Sequence, residues 1–224
     1  MPADEGLRLA NARVPAYSAS PMTIFESSVN LRRLSFAAII SLVAACASGP
    51  APQDVPNHRG ETTVYVVRHA EKAPPTAGDS DVDLSATGYA RADSLAVQLR
   101  EAGIDAVITT QLKRTRFTAR PIAAKRGVTP QVVPAGSSVS AHAESVAVAV
   151  RRYQGSRVLV VGHSNTVGPI ITALGGPRIG NLCDNEYSNL FILTLSREAP
   201  TRLLSARYGQ PDPPGDGKCT PVRR

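Results

Sequence analysis

Short apolar runs rich in β-branched residues alternate with longer amphipathic segments along residues 61–208. Four of these runs have the length and composition that are typical of strands buried on both faces of a parallel sheet. They cover residues 62–67, 106–109, 131–133 and 157–161. Two later segments, 187–195 and 201–208, are predicted to form a closing pair of strands.

Helices are predicted between these strands. The first has Ser85 as its candidate N-cap and Gly103 placed to end it, and its apolar residues follow the i, i+3, i+4, i+7 spacing of one helix face. Those apolar residues are Ala92, Leu95, Ala96 and Leu99. Further helices are expected over about 111–126, 140–153 and 166–174. The pattern shows no internal repeat and predicts an α/β domain, a three-layer α/β/α sandwich with a mostly parallel central sheet.

The N-terminal segment has the features of an export signal. Arg32 and Arg33 precede the apolar run 34–45, whose 12 residues are too few to span about 30 Å of hydrocarbon as a helix. The run ends in Val-Ala-Ala-Cys at Cys46, which resembles a bacterial lipobox, where the cysteine is lipidated and everything before it is removed. The alternative is a plain signal peptide with a chance cysteine. A translation start at Met22 rather than Met1 is a further hypothesis.

These features divide the chain into four parts. Residues 1–45 are an N-terminal extension and signal peptide, 46–60 a lipidated cysteine with a flexible tether, 61–208 the folded domain, and 209–224 a tail rich in proline and glycine. We therefore expect an exported, lipid-anchored protein that faces the periplasm and contacts the membrane through its anchor. Ala47 after the cysteine resembles the signal for onward transport to an outer membrane, in a cell that has one.

Composition and charge narrow the classes of partner. Hydrophobic residues make up 42% of the 224 residues and charged residues 19%, which is ordinary for a folded protein. The formal net charge of +7 favours anionic partners without naming one. Aromatic residues make up only 4% of the chain and tryptophan is absent. Few side chains are therefore available to stack on the bases of a single-stranded nucleic acid. We expect no nucleic-acid partner.

The cysteines suggest a covalent link within the domain. If Cys46 carries the lipid, Cys183 and Cys219 remain as a pair in an oxidising compartment. We predict a disulfide between them that ties the tail to the body of the domain. The alternative is two free thiols, one of them buried.

Two histidines and two arginines follow the predicted strands. Arg68 and His69 come directly after the first strand, and His163 follows the fourth. Arg114 lies at the start of the helix after the second strand, where free N–H groups favour an anion. Ligands of open α/β sheets bind at the carboxyl ends of the strands, so these four side chains are expected to meet at one edge. Such a cluster suits a phosphoryl group.

Four motifs, in this order, resemble those of the histidine phosphatase superfamily, which has the phosphoglycerate-mutase-like fold. They are Val66-Val67-Arg68-His69-Ala70, Leu84-Ser85-Ala86-Thr87-Gly88, Thr110-Gln111-Leu112-Lys113-Arg114-Thr115-Arg116-Phe117-Thr118-Ala119 and Val161-Gly162-His163. The resemblance covers about residues 61–174 and is closest to small secreted members that carry Arg-His-Ala-Glu-Lys and Gly-His-Ser-Asn. It implies a phosphatase without a cofactor that acts on a small phosphorylated substrate through a phosphohistidine intermediate.

The resemblance also implies roles for individual residues. His69 is the expected nucleophile, and Arg68, Arg114 and His163 are expected to hold the phosphoryl oxygens. An arginine fork suits that task because it bonds two oxygens in one plane. The candidate substrate-binding residues are Lys72, Ser164 and Asn165. Substrate recognition is expected in the loops 73–83 and 175–186.

The general acid is the least defined part of the predicted site. The family often places a carboxylate just after the third strand, but residues 133–139 contain none. Glu71, His142 and Glu144 remain as candidates, of which we favour Glu71. Some relatives dispense with the acid because their substrates, such as phosphohistidine or phosphoanhydrides, have good leaving groups. A missing acid therefore restricts the substrate and does not abolish catalysis.

Three other functions are alternatives to a phosphatase: a serine hydrolase, a metal-binding protein and a ligand-binding protein. The segment 162–166 is similar to the serine-hydrolase elbow Gly-x-Ser-x-Gly with Ser164 as nucleophile, but Thr166 replaces the final glycine and no histidine follows. No pair of histidines or cysteines has the spacing of a ready-made metal site, so no metal is expected. The third alternative is a lipid-anchored protein that binds phosphate or a phosphorylated ligand with little turnover. The retained histidines and arginines argue against it, and the missing acid favours it.

Overall fold

Strands and helices alternate through a computed structural model that describes residues 60–75, 77–136, 138–215 and 217–222. Cys46, the predicted signal segment and almost all of the predicted tether lie outside these residues. In chain order the elements are β1 (Thr62–Arg68), α1 (Ala86–Gln98), β2 (Ala106–Thr109), α2 (Lys113–Arg126), β3 (Gln131–Val132), α3 (Val139–Arg151), β4 (Arg157–Gly162), α4 (Val167–Ala173), β5 (Asn189–Leu195) and β6 (Arg202–Arg207).

The strands and helices predicted from the pattern are present, with small differences at their ends. Ser85 caps α1 as predicted, because its side chain accepts a hydrogen bond from the backbone N–H of Gly88 at 3.1 Å. The prediction that Gly103 ends this helix was wrong. The helix stops at Gln98 with Leu99 as its C-cap, and Gly103 lies in the connection to β2 with a φ of +63° that suits glycine.

The sheet has six strands in the order β3-β2-β4-β1-β5-β6. The first four are parallel, whereas β5 runs antiparallel to both β1 and β6. Arg68 at the end of β1 pairs with Gly162 at the end of β4, and Val67 pairs with Leu190 near the start of β5. The ends of β1 and β4 and the beginning of β5 therefore share one edge of the sheet.

Helices cover both faces of the sheet, which confirms the predicted three-layer sandwich. Alternate residues of a strand point to opposite faces, so Val158 and Val160 pack in one layer while Leu159 and Val161 pack in the other. α3 and α4 pack on the first face, and their buried residues include Val146, Val150, Ile170 and Ile171. α1 and α2 pack on the second face, and their buried residues include Leu95, Ala96, Ile122 and Ala123.

A disulfide joins Cys183 to Cys219, as the sequence predicted. Cys183 lies in the connection between α4 and β5, and Cys219 lies in the tail after β6. The bridge therefore ties the tail to the loop that leads into β5. Among the described residues, no helix has the length and apolar character to cross a membrane.

Candidate active site

The register of β1 and β4 brings two histidines together at one sheet edge. The backbone N–H of His69 donates to the carbonyl of Gly162 at 2.9 Å, which continues the pairing of the two strands by one residue. The ring centroids of His69 and His163 are 5.3 Å apart, and the rings meet edge to face at 61°. Both residues are buried. The strand pairing alone thus fixes the spacing of the two imidazoles.

His69 has the protonation state that a nucleophile needs. Its Nδ1 lies 2.7 Å from the carbonyl oxygen of Ala70. A carbonyl oxygen only accepts hydrogen bonds, so we assign the ring proton to Nδ1 and a free lone pair to Nε2. Burial lowers the pKa of His69 to about 2, and the positive charge of Arg68 lowers it as well. The imidazole is therefore neutral at neutral pH.

His163 is fixed by two threonines. Its Nε2 lies 3.2 Å from the hydroxyl of Thr110, the residue that follows β2. Its backbone N–H donates to the hydroxyl of Thr166 at 2.8 Å. Burial, together with the nearby positive charge of Arg114, lowers the pKa of His163 to about 3. The second imidazole is thus also neutral and held in place.

Arg68 is buried with one side of its guanidinium fully engaged. Nη1 donates to the carbonyl oxygens of Cys183, Asp184 and Glu186 at 2.8, 3.0 and 3.2 Å. Cζ lies 4.1 Å from the centroid of the Tyr187 ring. Burial lowers the pKa of Arg68, but an arginine stays charged in a protein. Nε, by contrast, is buried without a hydrogen-bond partner, so this donor remains for an anion.

Arg114 supplies a second guanidinium at the start of α2. Its Nε is buried and also lacks a hydrogen-bond partner. Burial lowers the pKa of Arg114, while the negative charge of Asp81 raises it. The expected free N–H groups at this helix start are partly taken, because the backbone N–H of Lys113 donates to the Asp81 carboxylate at 2.8 Å. At the start of α2, the donor available to an anion is therefore the Arg114 side chain rather than the backbone N–H of Lys113.

A threonine ties Arg114 to the nucleophile loop. The hydroxyl of Thr118 accepts a hydrogen bond from the backbone N–H of Ala70 at 2.8 Å and donates to the carbonyl of Arg114 at 2.7 Å. Ala70 is the same residue whose carbonyl binds the ring of His69. One turn of α2 thus contacts both the loop of His69 and the backbone of Arg114.

Glu71, the favoured acid, is engaged in an ion pair. Both of its carboxylate oxygens accept hydrogen bonds from Nε of the buried Arg91, at 2.8 and 3.0 Å, and Nη2 lies 2.7 Å from Oε1. A carboxylate that accepts on both oxygens carries no proton to give to a leaving group. The contacts of Glu71 therefore argue against the acid role and indicate a structural one.

The two other candidate acids differ in burial. Glu144 is exposed on α3. His142 is buried in the first turn of the same helix, with Nδ1 3.1 Å from the carbonyl of Pro134 and Nε2 without a partner. Its charge contributes to the lowered pKa of His163. The structure therefore brings His142 near the histidine pair and leaves Glu144 in solvent.

The three candidate substrate-binding residues lie around the histidine pair at the surface. Lys72 is exposed, and its positive charge contributes to the lowered pKa of His163. Asn165 is exposed, whereas Ser164 is partly buried and its carbonyl accepts a hydrogen bond from Leu182 at 2.9 Å. In the described part of the chain, no group of three or more His, Cys, Asp or Glu residues has the arrangement of a metal site.

Comparison with known proteins finds similarity in sequence over part of the chain and similarity in fold. The sequence profile described as Histidine phosphatase superfamily (branch 1) matches residues 64–135, which include Arg68, His69 and Arg114. The fold superimposes on the mycobacterial glucosyl-3-phosphoglycerate phosphatase Rv2419c with a TM-score of 0.52 and 15% identity, over 64% of this chain and 97% of that chain. Residues 64–135 are therefore similar to the histidine phosphatase superfamily, and the fold of the described residues is that of its solved members.

Two further similarities were found. The protein histidine phosphatase SixA, solved with tungstate, superimposes on this fold with a TM-score of 0.52 and 18% identity, over 65% of this chain and 96% of that chain. The uncharacterized protein Rv0525 of Mycobacterium tuberculosis is 41% identical over 78 residues, or 33% of this chain. That match spans 39% of the length of Rv0525.

A cleft lies beside the residues that contact Arg68. Its volume is about 520 Å³, and it is lined by Cys183, Asp184, Asn185, Tyr187, Pro213, Pro214, Lys218 and Cys219. One wall thus includes the end of the predicted recognition loop 175–186, and the other wall is the tail. A separate cavity of about 280 Å³ lies at the start of β1, away from the histidines, and holds none of the predicted site residues.

Four residues that shape this site were not singled out from the sequence, although Asp81 and Glu186 lie within the predicted recognition loops 73–83 and 175–186. The Tyr187 ring centroid lies 6.3 Å from that of His69, and Tyr187 was only predicted as part of a strand. Glu186 is almost completely buried behind Arg68. Asp81 binds the start of α2, and Arg91 holds Glu71. All four contact the site through residues distant in sequence, so no local motif signals them.

Proposed function

We propose that the protein is a phosphatase that hydrolyses phosphate monoesters or other phosphorylated compounds through a phosphohistidine on His69. The observation that carries this proposal is the pair of buried guanidinium nitrogens, Nε of Arg68 and Nε of Arg114, that lack hydrogen-bond partners beside two neutral imidazoles. A buried donor left unpaired costs about 1–3 kcal/mol. A phosphoryl group, with three acceptor oxygens, would satisfy both donors at once.

The first step is an in-line displacement at phosphorus. The lone pair on Nε2 of His69 forms the N–P bond while the P–O bond to the leaving group breaks and its electron pair goes to the leaving oxygen. The Nδ1 proton stays on the ring and remains bound to the Ala70 carbonyl, which stabilises the positive charge that develops on the imidazole. Water then attacks phosphorus, the N–P bond breaks, and its electron pair returns to Nε2.

The arginines offset the charge of the transferring group. Nη1 of Arg68 is already committed to three carbonyl oxygens, so the Nε edge is the part that faces a ligand. Arg114 approaches from α2, and His163 closes the site next to the nucleophile. Donors that are held before the substrate arrives need no reorganisation in the transition state, which is where such groups contribute most.

The contacts of Glu71 bear on the class of substrate. An enzyme without a protonated carboxyl group acts best on leaving groups that depart without a proton, such as phenolates, phosphates or the imidazole of phosphohistidine. Among the structural neighbours, one is named for glucosyl-3-phosphoglycerate and another for protein histidine phosphate, so their names point to different substrates. We therefore propose the leaving-group class and name no single substrate. The 520 Å³ cleft beside Arg68 is the proposed place for its organic part.

A phosphate-binding protein with little turnover is the second candidate. The ion pair of Glu71 with Arg91 favours it, because this pair removes the nearest carboxylate from proton transfer. The same pocket serves both candidates, and only turnover separates them.

We also propose that the protein is exported and lipid-anchored at Cys46, facing the periplasm. The basic and apolar residues 32–45 support this proposal, and so does the Cys183–Cys219 disulfide, since disulfides persist in oxidising compartments. Labelling with palmitate tests the anchor. Incorporation into the parent chain and its loss in Cys46→Ser are expected, and label retained by Cys46→Ser rules the lipobox out.

Turnover of an aryl phosphate by the chain from residue 47 tests the phosphatase proposal. We expect hydrolysis by the parent that is lost in His69→Ala and His163→Ala and is unchanged by EDTA. Glu144→Gln is the matched control, because this carboxylate is exposed on α3. A folded parent that hydrolyses nothing but is stabilised by phosphate supports the binding protein, and a folded parent with neither property excludes both candidates.

A further inference from the structure

The C-terminal tail is joined to the surroundings of Arg68 by several independent contacts. We name the carbonyl groups of Cys183, Asp184 and Glu186, which bind Nη1 of Arg68, the carbonyl cage. We propose that residues 208–219 are a positioning element of the phosphate site: the disulfide and Asp212 hold the carbonyl cage, and the cage sets the direction of the Arg68 guanidinium. This inference rests on the proposed function, because it concerns the affinity of that same site for a phosphoryl group.

The carbonyl cage is a short turn without regular secondary structure. Its own closure depends on Glu186, whose backbone N–H donates to the Cys183 carbonyl at 2.9 Å and whose Oε2 accepts from the Cys183 backbone N–H at 2.8 Å. Asn189, at the start of β5, lies 3.3 Å from Oε1 of the same carboxylate. These contacts define the shape of the turn. Asn189 also links the turn to β5, and the tail contacts described next add to that link.

The disulfide supplies the first link to the tail. Cys183 is both a member of the carbonyl cage and the residue bridged to Cys219. Any movement of the tail is therefore transmitted to an acceptor that binds Arg68 directly. Asn185, within the same turn, adds a hydrogen bond from its amide to the carbonyl of Pro213 at 2.8 Å.

Asp212 in the tail supplies the second link, to the two residues that follow the carbonyl cage in sequence. Its Oδ1 accepts hydrogen bonds from the backbone N–H groups of Tyr187 at 2.9 Å and Ser188 at 2.8 Å. Its Oδ2 accepts from the Ser188 hydroxyl at 2.8 Å and pairs with Arg207. Because the Tyr187 ring lies against the Arg68 guanidinium, Asp212 holds the second surface that confines this arginine.

A third link reaches the other side of the nucleophile. Arg91 donates to the carbonyl oxygens of Tyr208 at 3.2 Å and Gln210 at 2.8 Å while it holds Glu71, two residues after His69. The beginning of the tail thus braces the nucleophile loop, and the later part braces the carbonyl cage. The two sides of the phosphate site are held by one segment.

The segment from Gly209 to Thr220 contributes little to the hydrophobic core, whereas Tyr208 before it is buried in the second core cluster and Val222 after it packs against the first. The residues of this segment are exposed or partly exposed where the structure describes them, whereas the two main core clusters lie between the sheet and the helices. A folded domain is therefore expected to survive loss of the tail contacts. The effect falls on the direction of Arg68, and this separates a positioning role from a purely structural one.

Oxyanion binding tests the inference without any need for turnover. The probe is tungstate, measured by calorimetry on the full chain and on the variants Cys219→Ser and Asp212→Asn, with thermal unfolding recorded for each. We expect each variant to weaken tungstate binding about tenfold, the loss that follows when a charged donor is no longer well directed. Glu198→Gln, exposed between β5 and β6, is the matched control and is expected to bind as the parent does.

The same measurement in an Arg68→Ala background shows whether the effect passes through Arg68. We expect Cys219→Ser and Asp212→Asn to have no further effect on tungstate binding there, because coupled residues are not additive. Additive losses in that background, or variants that are folded and bind tungstate as tightly as the parent, overturn the inference alone. A folded parent that does not bind tungstate overturns both the inference and the proposed function.

Discussion

The parallel part of the sheet and its antiparallel edge contribute different things to the site. β1 and β4 carry the two histidines, and α2 after β2 carries Arg114. The loop before β5 and the tail after β6 carry groups that hold other groups, among them the carbonyl cage and Asp212. The two histidines thus follow paired strands, whereas Arg68 is contacted by segments with no regular structure. The proposed reaction depends on the first region, and the proposed direction of Arg68 depends on the second.

The largest effect is expected on the parallel side, at His69. His69→Ala removes the lone pair that forms the N–P bond, and we expect kcat for an aryl phosphate to fall by about 10⁴-fold or more, as when a covalent nucleophile is deleted. Trapping of the phosphorylated protein after a short incubation with labelled substrate is the second readout. A phosphorylated species that persists in His69→Ala would place the nucleophile elsewhere.

Arg114 and His163 are expected to give the next largest effects. Arg114→Ala or His163→Ala removes one group that faces the transferring phosphoryl, which costs about 10²–10³-fold in kcat for comparable pre-positioned donors. Arg114 lies in the first turn of α2 and His163 directly after β4, and neither belongs to the two main core clusters, so each loss is expected with the fold intact, as judged by thermal unfolding. If either variant changes only KM, that residue binds the ground state and does not act in the transition state.

Glu71 links the two regions, because it follows β1 and pairs with Arg91, which contacts the tail. Glu71→Gln breaks the ion pair with Arg91 but removes no proton donor, so we expect kcat/KM to fall only a few-fold, to a similar extent for an aryl and an alkyl phosphate. The ratio of the two substrates is the measurement. A loss confined to the alkyl phosphate would show that Glu71 protonates the leaving oxygen after all.

The pH dependence is expected to be the smallest effect. The pKa of His69 is lowered to about 2 and that of His163 to about 3, so both rings gain a proton only well below pH 5. Between pH 5 and 8, kcat/KM corrected for the ionisation of the substrate is therefore expected to stay level. A rise in activity with an apparent pKa near 6.5 that disappears in His163→Ala would contradict the buried, neutral state of this pair.

The parallel half of the molecule was largely predictable from the sequence. Runs such as 157–161 are apolar because the strand is buried on both faces, and the reactive side chains follow those runs directly. The disulfide was also correct, since only two cysteines remained to pair once Cys46 was set aside. Buried strands are visible in the sequence as apolar runs, and the candidate site residues of this half are next to those runs. Both could therefore be predicted.

The bracing of the site could not be predicted in the same way. Glu71 was chosen as an acid because it lies two residues from His69, but its partner Arg91 is 20 residues further along the chain. Asp212 and Tyr187 are 25 residues apart, and Arg68 and Glu186 are 118 apart. The contacts of Asp212 and Glu186 depend on how β5 pairs with β1 and β6 with β5, and that of Glu71 on where α1 packs. No periodicity or local motif encodes that pairing or that packing.

The direction of β1 indicates where the protein is best attached to a surface or fused to a tag. Thr62 and Arg68 stand about 20 Å apart at the rise of an extended strand, with His69 just beyond the far end. Coupling to a sensor chip through residues that precede Thr62 therefore leaves the histidine pair facing the bulk solution. An affinity tag placed after Cys219 instead joins the segment that lines the cleft beside Arg68. Purification handles belong at the N-terminal side of this domain.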